Sequence, residues 1–127
     1  MRVLLDTQLV LWWLNDDKRL TPETRALIDN ADVAYVSHAS LWEMAVKASH
    51  RKLKIDLPAA TAEITDLGFE WLDIRPAHLH AVAKLPHSTE HRDAFDRLLV
   101  AQSLSEPLIL LTATRALERF GATVRVV

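Results

Sequence analysis

The chain has 127 residues, enough for one domain with a core of its own, and it is expected to be a single domain over 1–127. Half of the residues are hydrophobic, a quarter are charged, and the formal charge is −2, the profile of a globular domain and not of a basic coat for nucleic acid. There is no cysteine, which removes disulfides, thiolate metal sites and cysteine nucleophiles, and no stretch nears the ~20 apolar residues of a bilayer span.

Val3-Leu4-Leu5, ending at Asp6, predicts a buried strand, and the apolar residues from Leu9 to Leu14 predict a helix starting near Thr7. Asn15-Asp16-Asp17 is a loop. Thr21 before Pro22 is a helix start, with Thr21 as the cap and proline at the first helical position. Ala34 to Val36 is a second strand, and Ser37 caps a helix running to about His50. Leu53 to Ile55 is ambiguous. A further helix opens at Pro58 and closes at Gly68. Trp71 to Ile74 is a third strand, and Pro76 begins a helix through Lys84. Pro86 to Arg92 is polar and expected to be a loop. Asp93 to about Ser105 is helical, Leu108 to Leu111 is a fourth strand, Arg115 to Phe120 is a short helix stopped by Gly121, and Val124 to Val127 is the last strand.

Short apolar strands alternating with helices predict an α/β fold, a three-layer α/β/α sandwich around a mostly parallel sheet. In such sheets ligands bind beyond the carboxyl ends of the strands, where the strand order reverses. Acids near strand ends are therefore the candidates. Asp6 closes the first strand, Glu43 lies two turns into the helix after the second, and Asp93 and Asp96 share a face at the start of a later helix. Carboxylates that converge in a cleft repel one another unless cations compensate, and hard divalent cations suit oxygen ligands. Each acid also has a local structural use. Asp6 and Asp93 can cap the helices that follow them, Asp93 can also pair with Arg97, and Glu43 can pair with Lys47 at i, i+4. Lys47, Arg51, Lys52 and Lys54 form one basic cluster, and Arg92 and Arg97 flank the later acids.

Three blocks carry a family resemblance. They are Leu4-Leu5-Asp6-Thr7 with Trp12-Trp13-Leu14; Ser37-x-x-Ser40-Leu41-Trp42-Glu43-Met44-Ala45-x-Lys47; and the ungapped run His91 to Gln102. They resemble the successive motifs of PIN-domain ribonucleases, in the subfamily of VapC-type toxins from type II toxin–antitoxin systems. Phe120-Gly121 and the closing strand are similar too, so the resemblance runs from Arg2 to the C-terminus. It implies a metal-dependent endoribonuclease that hydrolyses phosphodiester bonds in RNA with Mg²⁺ or Mn²⁺. Asp6, Glu43 and Asp96 correspond to the metal-binding acids, with Asp93 either a further ligand or a group that supports them. Thr7, Ser40, Thr112 and Thr114 are hydroxyls placed to support them. The implied partners are RNA, a cognate antitoxin protein and a second copy of the chain, in the cytoplasm and without a membrane.

Two positions depart from the family pattern. Gln8 replaces a histidine, and Thr114 stands where the pattern has a fourth acid, so one metal is expected rather than two. The alternative is a catalytically inert PIN-like domain acting as a protein- or RNA-binding module. His87-Ser88-Thr89-Glu90-His91 also fits a zinc-peptidase motif, but Pro86 and the loop context oppose the helix that motif needs. Trp12, Trp13 and Trp42 are expected to serve the core or a dimer interface. Because Trp12 and Trp13 are adjacent on a helix, one is expected inside and the other toward a partner.

Overall fold

The computed structural model describes residues 1–87 and 93–127. The elements alternate as expected: β1 (Arg2–Leu5), α1 (Thr7–Leu14), α2 (Pro22–Asp29), β2 (Val33–Ser37), α3 (His38–Ser49), α4 (Leu57–Asp66), β3 (Glu70–Leu72), α5 (Pro76–Lys84), α6 (Ala94–Ser105), β4 (Ile109–Thr112), a 3₁₀ turn (Arg115–Phe120) and β5 (Val124–Val126).

The five strands form one sheet in the order β3-β2-β1-β4-β5, and every pairing is parallel. β1 is central, and Val3, Leu4 and Leu5 are fully buried because both faces of the sheet are covered. Alternate residues go to opposite layers. Val3, Leu5 and Leu111 join Leu9, Val10, Ile28, Met44 and Ile64 on the face of α1, α2, α3 and α4, while Leu4 and Leu110 join Leu98 to Ala101 and Leu117 on the face of α6 and the 3₁₀ turn. This is the three-layer α/β/α sandwich.

Local chemistry accounts for the helix starts. Thr21, Ser37, Asp56 and Asp93 each cap a helix by accepting a backbone N–H with the side-chain oxygen. α4 therefore begins at Leu57, one residue before the proline expected to open it. Gly68, at φ +91°, makes the left-handed turn into β3. β3 is shorter and earlier than expected, since it pairs only along Tyr35 to Ser37 of β2, which leaves Asp73 and Ile74 outside the sheet. Leu53 to Ile55 belongs to no regular element.

α5 and α6 are locked by a buried polar network. Ser37 Oγ donates to Gln102 Oε1 at 2.6 Å, and Gln102 Nε2 donates to the Asp73 carbonyl at 3.2 Å. His78 is fully buried; its Nδ1 accepts the Arg75 N–H at 3.0 Å, so Nε2 carries the proton toward Glu106 Oε2 at 2.6 Å. His80 is exposed, and the two histidines share no face, as their spacing requires.

Candidate active site

The strand order reverses between β1 and β4, and the first candidate acid stands at that point. The Asp6 N–H donates to the Leu111 carbonyl at 3.0 Å, continuing the β1–β4 ladder as the chain turns into α1. The Asp6 carboxylate is 2 % exposed. Oδ1 accepts the Leu9 N–H at 2.9 Å, capping α1, and Oδ2 accepts the Thr112 hydroxyl from the end of β4. Burial pushes the Asp6 carboxyl above its ordinary pKa and the nearby Glu43 pushes it further; the bonds from Thr112, Leu9 N and Ala113 N pull the other way without cancelling the rise.

Glu43 is 5 % exposed on α3, which packs against α1 and α6. Its Oε2 accepts the Lys47 ammonium at 2.6 Å, the i, i+4 pair the spacing allows. Its Oε1 is buried and has no hydrogen-bond partner among the described residues. A buried carboxylate oxygen without a donor is costly, and a cation is the natural partner for it.

Asp93 caps α6 by accepting the Asp96 N–H at 3.0 Å and stays exposed, whereas Asp96 is half-buried. The direct bond to Glu43 holds the Lys47 pKa above its ordinary value, and the charges of Asp93 and Asp96 add to the rise. Lys47 is thus bonded to the acid of α3 and feels those of α6, while Glu43 is felt at Asp6. Among the described residues these acids do not form a ready-made cage, for no three acidic or histidine side chains are grouped as a metal would group them. The donor set still suits a hard divalent ion. It offers carboxylate oxygens, one of them buried and unsatisfied, with no sulfur and no histidine.

The four hydroxyls fall into two groups. Thr7 Oγ1 donates to Ser40 Oγ at 2.9 Å, joining α1 to α3 beneath Asp6 and Glu43. Thr112 holds Asp6 directly, and its oxygen accepts the Thr114 N–H at 3.0 Å. Thr114 begins the 3₁₀ turn, half-buried, and adds no charge.

Of the basic cluster, Arg51, Lys52 and Lys54 stay in solvent, and only Lys47 pairs into the acids. Arg97 turns away from Asp93, donating to the carbonyls of Pro86 at 3.1 Å and Leu85 at 3.5 Å. Arg92 and the stretch from Ser88 to His91 of the zinc-type motif lie outside the described residues. Trp12 and Trp13 do not divide into inside and outside. Both are half-buried, each with an arginine over its ring (Arg19 at 5.1 Å and Arg25 at 4.5 Å), because cation–π stacking covers the faces the core leaves open. Trp42 is 53 % exposed and meets Phe95 edge-on at 4.7 Å, so two aromatic residues adjacent in sequence to Glu43 and Asp96 stand beside the acids.

Residues 3–122 match the PIN domain family. Ribonuclease VapC22 of Mycobacterium tuberculosis (strain ATCC 25618 / H37Rv) is 26% identical over 124 residues, covering 91% of this chain and 88% of that protein. Among solved structures, the fold resembles VapBC2 from Rickettsia felis bound to a DNA fragment from their promoter, with a TM-score of 0.72 at 15% identity, covering 100% of this chain and 98% of that one. It also resembles FitAcB from Neisseria gonorrhoeae, with a TM-score of 0.61 at 18% identity over 98% and 95% of the two chains. A parallel sheet with acids at its reversal point and a family match over nearly the whole length give one conclusion: the chain belongs to the PIN domain family.

Proposed function

We propose that this chain is an endoribonuclease, the toxin of a toxin–antitoxin pair, that hydrolyses phosphodiester bonds in RNA with the help of Mg²⁺ or Mn²⁺. The observation that carries the reading is the buried Glu43 Oε1, without a hydrogen-bond partner among the described residues, on a side chain whose charge reaches the buried Asp6. Asp6, Glu43 and Asp96 would hold the ion, with Asp93 beside them. The ion would supply a polarised water and offset charge on the phosphate.

The rest of the work belongs to this chain's own residues. Thr112 and the Leu9 and Ala113 amides fix the Asp6 carboxylate at the strand end. The Thr7–Ser40 bond fixes α1 against α3, so the two buried acids keep their spacing. Lys47 offsets part of the repulsion that the same acids feel before any ion arrives.

The relative is a ribonuclease, which supports RNA as substrate, and one structural neighbour, from Klebsiella pneumoniae, is a toxin–antitoxin complex, which supports an antitoxin protein as partner; a homodimer and a cytoplasmic location are part of the proposal. A second reading, an inert domain that only binds, draws on the Glu43–Lys47 pair and on the uncharged Thr114.

One experiment separates the two. Purified chain is incubated with a generic single-stranded RNA in excess Mn²⁺, in EDTA, and as the Asp96→Asn variant in Mn²⁺. Cleavage in the first case alone is expected. No cleavage with Mn²⁺, or equal cleavage in EDTA, overturns the metal-dependent nuclease.

A further inference from the structure

We propose that the Lys47 ammonium is a built-in counter-cation of the acidic cleft, standing in for a second divalent ion, so that the site takes one. This rests on the metal-binding reading above and adds to it which of this chain's groups sets the stoichiometry.

Three placements argue for it. First, Lys47 lies one turn after Glu43 on α3 and reaches back to the carboxylate at 2.6 Å, although Arg51, Lys52 and Lys54 further along the same segment stay in solvent. Second, the bond from Glu43 raises the Lys47 pKa and the charges of Asp93 and Asp96 at the start of α6 add to that rise, so the ammonium is not felt by its own helix alone. Arg97 gives no such help, being bound to the Leu85 and Pro86 carbonyls. Third, the pair leaves Glu43 half used. Oε2 is taken by Lys47, and Oε1, on the same 5 % exposed residue, is buried without a partner among the described residues. Glu43 therefore has one oxygen held by an internal cation and one open to an external cation.

The end of β4 agrees with this division. A second divalent ion needs more negative charge than a first, and the residues there, Thr112 and Thr114, bring hydroxyls and no carboxylate. A fixed unit charge beside a dication is strongly unfavourable at the effective dielectric of a partly buried site. Lys47 therefore opposes a second ion beside Glu43 Oε2 while leaving Oε1 to the first.

The test is a Mn²⁺ titration of the full chain in the absence of RNA, with bound metal counted by calorimetry and by electron paramagnetic resonance. The wild type, Lys47→Met and Lys47→Arg are compared. The wild type and Lys47→Arg are expected to bind one Mn²⁺. Lys47→Met, which keeps the length and loses the charge, is expected to gain a second Mn²⁺ at least about tenfold tighter than any second event in the wild type.

Two Mn²⁺ bound to the wild type would overturn the role of Lys47 while leaving metal binding intact, and this requires no variant to fold. One Mn²⁺ in both wild type and Lys47→Met, with equal affinity, would overturn it in the same way. No Mn²⁺ bound to the wild type would overturn both this inference and the metal reading.

Discussion

The substitution Asp6→Asn separates the two uses of the most buried acid in the cleft. Asn caps helices about as well as Asp, so the bond from Leu9 N survives at a cost of a few tenths of a kcal/mol. The amide turns a donor toward Thr112 Oγ1, whose second lone pair is available while the first accepts Thr114 N. Exchanging charge-assisted bonds from Thr112 and Ala113 for weaker or absent ones costs about 1–3 kcal/mol. Against this, the variant no longer buries a charge 2 % exposed beside Glu43, a gain of the same order. The net effect on the metal-free protein is therefore expected within about 1 kcal/mol, or roughly 3–5 °C in melting temperature for this size.

The pH dependence fixes the sign. The folded pKa of Asp6 is raised, so the folded state binds the extra proton more tightly than the unfolded chain does. The ionisation penalty is absent below the unfolded value of about 3.9 and grows to its full size as pH rises through the folded one, and only the wild type carries it. Asp6→Asn should thus gain on the wild type as pH rises from about 4 through the raised folded value, read by urea unfolding in EDTA. Asp6→Ala, which loses the cap and strands Thr112 and Ala113 N, should lose about 2–4 kcal/mol. A variant Asp6→Asn as damaged as Asp6→Ala, with a deficit that does not change with pH, would show that the carboxylate is a structural cap and nothing more.

Thr114→Asp should tighten Mn²⁺ binding several-fold by calorimetry and raise the single-turnover cleavage rate, because it adds a carboxylate next to Thr112 at the reversal point; no change in either places residue 114 outside the site. Gln102→Leu should cost about 2–4 kcal/mol in urea unfolding, since Ser37 Oγ and the Asp73 carbonyl lose their partners in a fully buried network. Trp42→Ala should leave monomer stability within about 1 kcal/mol, because half the ring is already in solvent, but should weaken self-association in sedimentation; unchanged association would remove Trp42 from the dimer face.

The fold was legible in the sequence where burial is two-sided or a cap is present. Val3-Leu4-Leu5 reads as a strand because three successive apolar residues without alternation suit a sheet covered on both faces, and all three are fully buried. Thr21-Pro22 and Ser37 mark helix starts by the same oxygen-to-amide bond the structure shows. The errors fall where tertiary pairing sets a boundary. Trp71 to Ile74 looks like four residues of strand, but β2 offers partners to only three, and they begin at Glu70. The short helix from Arg115 to Phe120 keeps its expected bounds, and only its winding as 3₁₀, with Leu117 N bonded to Thr114 O and Gly121 N to Glu118 O, goes beyond the sequence. Nor does spacing announce that Ser37 meets Gln102, or that Trp12 and Trp13 both end half-covered by arginines, since these contacts join distant elements or depend on side-chain reach.

The site was legible in a different way. Every local use the spacing allowed for Asp6 and Glu43 is realised, and Asp93 caps α6, so caps and an ion pair alone would describe these residues completely if carboxylates had one oxygen each. They have two, with about four lone-pair sites between them. Asp6 spends Oδ1 on its helix and Oδ2 on Thr112, which orients both oxygens at the strand end. Glu43 spends Oε2 on Lys47 and leaves Oε1 with nothing among the described residues. Capping and the proposed ion holding therefore need not compete at these carboxylates. The local bonds fix where the carboxylates stand, and the capacity left over after those bonds is the chemistry the site has to offer. A sequence shows the first use through short-range spacing. The proposed second use depends on α3 packing against both α1 and α6 near the reversal point of the sheet, and only the folded chain brings that about.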